Sequence, residues 1–243
     1  MAQIDRLSIG NRPPGRAIMH QVWGKLLFIH WPIDPKLLRP LIPPALEIDT
    51  FDGQAWIAVV PFTMWDIRPL PPYLPAVPGL SAMHELNVRT YVHLNGVPGV
   101  WFFSLDCTSA TAVWGARTFY YLSYFNAEIE LQQSGQVIDY KLTRTDSPPA
   151  SFDSTWKMGE ALPPTTEDSL EFFLTERYCL YSEHKNSIYQ SRVHHAQWPL
   201  QKATLSSYSS RMVQSLGLPE PTTEPLLHYA EDISVDIWPL KKQ

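Results

Sequence analysis

Residues Glu85 to Val92, ELNVRTYV, restrict the fold more than any other stretch of this chain. Read with a period of two, Glu85, Asn87, Arg89 and Tyr91 share one face, and Leu86, Val88, Thr90 and Val92 share the other. The β-branched second face makes this a strand. The first face carries an acid, an amide, a base and a phenol in a row, between segments that read as core. Such a strand fits two settings. Its polar face meets bulk water, or it lines a polar cavity inside a barrel.

The neighbouring segments are also strands. VWGKLLFIHW (22–31) and QAWIAVVPF (54–62) read as buried strands, and VWFFSLD (100–106) pairs with 85–92 through the turn Asn95-Gly96. Residues 125–145 alternate around Ser134-Gly135 as a second hairpin. A short helix is expected at PKLLRPLI, capped by Asp34, another through TAVWGARTFYYL, capped by Ser109, and a third at DSLEFFLTERY. Residues 200–216 suggest a helix, and ISVDIWPL a last strand. The 23 prolines in 243 residues are nearly twice the usual ~5% and indicate short strands joined by stiff loops. Five of them fall in 66–80, read as a surface connection or, more sharply, as a lid. The expected architecture is a mainly β (α+β), closed antiparallel sheet with a few helices, in one domain over 17–243 after a flexible arm, 1–16.

Composition excludes several function classes. The net charge of −5 and the lack of a basic stripe leave no footprint for nucleic acid. Cys107 and Cys179 are too few for a disulfide framework or a four-cysteine zinc site. Adjacent His194 and His195 point to opposite faces of a strand, and no HExxH or CxxC occurs, so no metal is expected. Glycine-rich phosphate loops and GxSxG elbows are absent, so neither a nucleotide cofactor nor a serine nucleophile is expected, and no cofactor is assigned. A polar N-terminus and the absence of a ~20-residue apolar run point to a cytoplasmic protein without membrane association. The sequence leaves a homo-oligomer open.

Three features remain as candidate chemistry: the Glu85/Asn87/Arg89/Tyr91 face, the segment with Arg117, Tyr120, Tyr121 and Tyr124, and His30 at the end of the first strand. Arginine keeps its charge and offers a fork of donors suited to a carboxylate. Glu85 is the candidate acid/base. Arg89 and Arg117 are the candidate anion anchors, with Tyr91, Tyr120, Tyr124 and His30 lining the pocket. A structural alternative is an internal Glu85–Arg89 ion pair that ligates nothing.

HWPIDPKLLRPLIP, FDGQAWIAVVPF, ELNVRTYV, PGVWFFSLD, AVWGARTFYYLSYFNAEI, ERYCLYS and VHHAQWPL, in this order and spacing, resemble the YqjF-like family DUF2071 over roughly residues 17–240. That family looks like a distant branch of the acetoacetate decarboxylase-like superfamily. The resemblance implies a closed antiparallel barrel or double-barrel cone around a polar cavity. The decarboxylases form a Schiff base between a β-keto acid and a lysine. Their lysine follows a helix, in a stretch of roughly glycine, arginine-glutamate, then proline-lysine-lysine. Here the comparable stretch is GARTFYYLSYFNA. Gly115 matches the glycine, the lysine positions fall near Tyr124 and Phe125, and no lysine occurs between Lys36 and Lys141. Glu85 matches an acidic residue of the decarboxylase cavity. The resemblance thus carries over the cavity and not the imine. The expected function is binding of a small anionic or carbonyl-bearing molecule. Two alternatives are a lyase, hydratase or isomerase working through Glu85 without an imine, and a structural protein whose cavity is vestigial.

Overall fold

The computed structural model describes residues 4–69 and 82–243. Its strands are β1 (Met19–Ile33), β2 (Glu47–Ile48), β3 (Ala55–Pro69), β4 (Ala82–Leu94), β5 (Val97–Cys107), β6 (Tyr124–Ser134) and β7 (Val137–Arg144). They continue with β8 (Ser151–Ala161), β9 (Cys179–His184), β10 (Ser187–His194), β11 (Gln201–Ser210), β12 (Leu226–Ile237) and β13 (Lys241–Lys242). The α-helices are α1 (Pro35–Leu38), α2 (Ala110–Phe119) and α3 (Leu170–Thr175), and three short 3-10 helices lie at Ser8–Gly10, Arg39–Leu41 and Gln214–Leu216.

Strand pairing closes two rings. One runs β10-β9-β5-β4-β3-β1-β12 and back to β10; the other runs β5-β6-β7-β8-β11-β12-β1-β3-β4 and back to β5. Both use the wall β5-β4-β3-β1-β12. The long end strands of that wall serve both rings by dividing along their length. In β5, Val100 and Trp101 pair with β9, while Leu105 to Cys107 pair with β6. In β12, Tyr229 pairs with β11, while Asp236 and Ile237 pair with β10. The sheet is mostly antiparallel, but both β5–β6 and β5–β9 are parallel. The first follows from α2, which crosses over between β5 and β6 as a parallel pairing requires.

The two faces of the shared wall feed different interiors. Leu27, Ile29, Val59, Leu86 and Val88 pack against Ile138, Tyr140, Phe152 and Trp156 of the β6-β7-β8 side. Leu26, Phe28, Val60, Phe62 and Met64 face the β9-β10 side with Val193 and Trp198. A bulge at Lys25, with φ of +50°, shifts the register of β1 against β3. The extra residue lets Trp23 and Leu26 share a face despite their spacing.

Several expectations are met at the level of single residues. Asp34 accepts from the Lys36 amide and Ser109 from the Ala112 amide as helix caps. Asn95 and Gly96 take the positive φ values that a two-residue β4–β5 turn demands. Others are corrected. Residues 201–210 form strand β11 instead of a helix, because eight of its positions pair with β8. The third helix is shorter than expected, and its cap is Ser169. The N-terminal residues contact the domain at two ion pairs, Arg6 to Asp49 at 2.5 Å and Arg12 to Asp236 at 2.8 Å. Residues 66–69 complete β3, and the rest of the 66–80 stretch lies outside the described residues. No described helix is long and apolar enough to cross a membrane.

Candidate functional site

The ring containing β9 and β10 holds a half-open cavity of about 260 Å³. Strand β4 sends Met83, Glu85, Asn87 and Arg89 into it, at the two-residue step its pleat dictates. The strands beside β4 in the same wall are apolar here, with Trp23, Phe62, Met64 and Leu105, and the wall opposite adds Leu180 and Trp198. Helix α2 covers one side. It brings Thr111, Ala112, Gly115 and Ala116 to the cavity, a helical repeat of small residues, with the largely exposed Phe119 at its edge and the cap residue Tyr120 after it. At Gly115 a Cβ would meet nothing within 4 Å, so the helix leaves space there instead of touching the sheet.

Glu85 is 2% exposed, and its Oε2 accepts a 2.7 Å hydrogen bond from the Tyr124 hydroxyl. Burial pushes its carboxyl up to about 8; the nearby Asp106 adds to the rise, while Tyr124 and the Asn87 amide offset part of it. Burial and the Glu85 charge together push the Tyr124 hydroxyl well above the usual phenol range. Glu85 is therefore a protonated, neutral acid at neutral pH, and Tyr124 keeps its proton.

Arg89 is four residues further along β4. Its Nε is buried without a partner, and among the described residues no carboxylate lies within 4.0 Å of its guanidinium. The group rests over the Phe28 ring, 5.3 Å from its centroid, and at 6.0 Å from that of Tyr91. The internal Glu85–Arg89 ion pair weighed from the sequence is thus not formed. Two further polar atoms around the cavity have no partner, Asn87 Oδ1 and the Tyr120 hydroxyl. Burial pushes the latter up to about 12.

Of the seven residues singled out in the sequence, Glu85, Arg89, Tyr120 and Tyr124 meet at this cavity. Arg117 does not. It is one residue past Ala116 on α2 and points outward, where it donates to Asp146 at 2.8 Å and to the Tyr124 carbonyl at 2.7 Å. Tyr91 and His30 are also absent from the lining. β4 has passed the cavity by Tyr91, whose hydroxyl donates to the Leu174 carbonyl at 2.8 Å and lies 2.7 Å from His30 Nε2. Both belong to the core under α3. Sequence reasoning missed Trp23 and Trp198, whose alignment with the cavity depends on the β1 bulge and on the chain after β10. It also missed the buried pair Asp106–Arg144, joined at 2.5 and 2.8 Å.

Among the described residues, no lysine lines the cavity. Lys141 is exposed on the outer face of β7, 3.9 Å from Asp153. The two cysteines are buried free thiols, and burial pushes Cys107 up to about 12, so it is no nucleophile at neutral pH. Among the described residues, no three His, Cys, Asp or Glu side chains stand close enough to hold a metal ion.

The pattern of the DUF2071 family, an uncharacterised conserved protein, matches residues 20–234. The chain belongs to that family. It is 43% identical over 230 residues to the uncharacterised protein YqjF of Bacillus subtilis (strain 168), covering 95% of this chain and 94% of that one. Solved structures share the fold at low identity. The enduracididine biosynthesis enzyme MppR complexed with pyruvate superposes with a TM-score of 0.64 at 12% identity, over 96% of this chain and 91% of that one. Acetoacetate decarboxylase from Legionella pneumophila gives 0.61 at 13%, over 97% and 94%. An acetoacetate decarboxylase-like enzyme from Sphingomonas wittichii RW1 gives 0.62 at 11%, over 94% of each chain. The fold of this DUF2071 member is therefore acetoacetate decarboxylase-like.

Proposed function

We propose that the cavity binds a small carboxylate or carbonyl compound, with the anionic end on Arg89, and without imine chemistry. One observation carries this reading: Arg89 is a permanent cation at a largely apolar cavity, with a buried donor and no acid beside it. Arg89 is half-buried, and a charge held against apolar walls without a counter-charge is unfavourable, a cost that an anionic guest reduces. The open volume also favours a guest over a vestigial cavity filled by its own side chains. That MppR is complexed with pyruvate in the same fold supports a small 2-oxo acid as the type of guest.

The test is calorimetric titration of pyruvate and acetoacetate into wild type, Arg89→Met and Arg117→Ala, each checked for an unchanged melting profile. Loss of a charge-assisted contact in Arg89→Met is expected to weaken binding roughly tenfold or more. Arg117→Ala, altered outside the cavity, is expected to bind as wild type does. Equal affinity in Arg89→Met and wild type would sink the reading. Borohydride added with either acid should leave no adduct; one on Lys25 or Lys141 would restore an imine.

A second reading rests on Glu85. A carboxyl raised to about 8 and hydrogen-bonded to a tyrosine suits proton transfer next to a carbonyl, as in an isomerase, hydratase or lyase. Its signature is exchange of the C3 protons of pyruvate into heavy water, lost in Glu85→Gln. Exchange that survives the substitution would remove Glu85 from that role.

A further inference from the structure

The cavity walls specify the guest more narrowly than the polar stripe alone. Charge comes first. Among the described residues the lining holds one cation, Arg89, and one acid, Glu85, which burial keeps protonated at neutral pH. Its other polar side chains, among them Gln21, Asn87, Tyr120 and Tyr124, are neutral. One uncompensated positive charge calls for one negative charge. A second carboxylate or a phosphate dianion would bring charge against an apolar wall with nothing to meet it.

Size comes next. An apolar cavity of about 150 Å³ is enough to take up benzene. The 260 Å³ here leaves room for such a ring and a short acid chain. Pyruvate alone would leave much of the volume unfilled, with apolar surface facing water or void. Wall chemistry agrees. Trp23 meets Phe62 edge-on at 5.9 Å and stacks on Trp198 at 6.5 Å, so aromatic faces and edges run from β3 and β1, beside β4, across to the chain after β10. Met64 and Met83 add adaptable surface.

We propose that the guest is a monocarboxylate bearing an apolar group about the size of a benzene ring, seated with its carboxylate on Arg89 and its ring among Trp23, Phe62 and Trp198. This inference rests on the anion-binding reading above and narrows it. Acids of the 3-phenylpropanoate and phenylpyruvate type meet the description.

The experiment is a calorimetric series on the full chain. The probes are acetate, pyruvate, 3-phenylpropanoate, phenylpyruvate, phenylsuccinate and the neutral 3-phenylpropanamide. Wild type is compared with Arg89→Met and Gly115→Leu. Burial is worth about fourfold in affinity per methylene, so the aryl acids are expected to bind roughly 50-fold or more tighter than acetate and pyruvate. The amide and the dicarboxylate are expected to bind at least tenfold more weakly than 3-phenylpropanoate. Gly115→Leu places a side chain in open cavity space and improves helix propensity, so it should fold and lose aryl-acid binding more than tenfold. If the short acids bind as tightly as the aryl acids while Arg89→Met weakens both, the aryl class is overturned and the anion site stands. Tighter binding of phenylsuccinate than of 3-phenylpropanoate would overturn the single-charge assignment. Aryl acid and amide binding alike, with Arg89→Met indifferent, would overturn this inference and the anion-binding reading together.

Discussion

Glu85 makes a prediction that needs no ligand. In the unfolded chain its carboxyl has the ordinary value of 4.5, and in the folded chain it is raised to about 8. Between those values the native state holds a proton that the unfolded state releases. Stability must therefore fall as pH rises from about 4.5 to 8, and the loss is complete above 8. Glu85→Gln keeps a neutral acceptor beside Tyr124 and has no proton to lose. Denaturant melts of both proteins at pH 5, 7 and 9 should show the variant gaining on wild type by up to a few kcal/mol across that range. Taking the difference cancels His30 and His195, both depressed by burial and titrating in both proteins. Parallel pH profiles would mean that Glu85 is not held protonated. The same residue shows what could be read from the sequence. Glu85 and Arg89 were legible as a pair on one face because strand period alone fixes that. Arg117 was misplaced because a helix turns 100° per residue, and one step past Ala116 separates the cavity from solvent. Asp106–Arg144 was not legible, since the partners are 38 residues apart and meet only through the β5–β6 seam.

At the scale of elements, the weakest parts of the architecture are the seams that close each ring. β5 meets β9 through two paired positions, Val100 and Trp101, and β12 meets β11 through Tyr229 alone. Gly99 sits at the first seam. A Cβ there would come within 2.8 Å of the Cys179 carbonyl oxygen and of the Tyr181 ring, closer than real contacts allow. Gly99→Val should push β9 from β5 and destabilise the protein by about 1–3 kcal/mol, as overpacking does. Amide exchange should rise first in 179–184 and 187–194. Protection unchanged in both strands would show that the seam tolerates the side chain. The hairpin β4–β5 was legible because an Asn-Gly turn and two alternating strands are local signals. Neither β11 nor the double closure was. QKATLSSYSS lacks an apolar alternation, and its strand state is imposed by pairing with β8. Closure by itself depends on pairings across more than a hundred residues, such as β1 with β12. There the family resemblance supplied what periodicity did not.

At the scale of the molecule, the two interiors are opposite faces of the same five strands. Val88 of β4 packs into the filled interior, and Val60 of β3 faces the cavity side, across one hydrogen-bonded pair of strands. Loss of either interior strips one face of the shared wall, and the wall supplies most of the apolar contacts of the other. The rings therefore have no independent route to unfolding, and the chain is expected to melt as one unit over 17–243. Val88→Ala and Val60→Ala test this from the two sides. Both positions are at most 1% exposed, so each truncation removes buried methyl groups and leaves a void. Scanning calorimetry should show one transition in each variant, shifted down as a whole, with calorimetric and van't Hoff enthalpies equal. A saturating aryl acid should raise that same transition, since a guest of the cavity stabilises whatever unfolds with it. Two resolved transitions, or a shift confined to part of the heat absorption in either variant, would show that the cavity ring and the filled ring are separate cooperative units. The ligand would then stabilise only the first of them, and the shared wall would be a boundary between units instead of their common core.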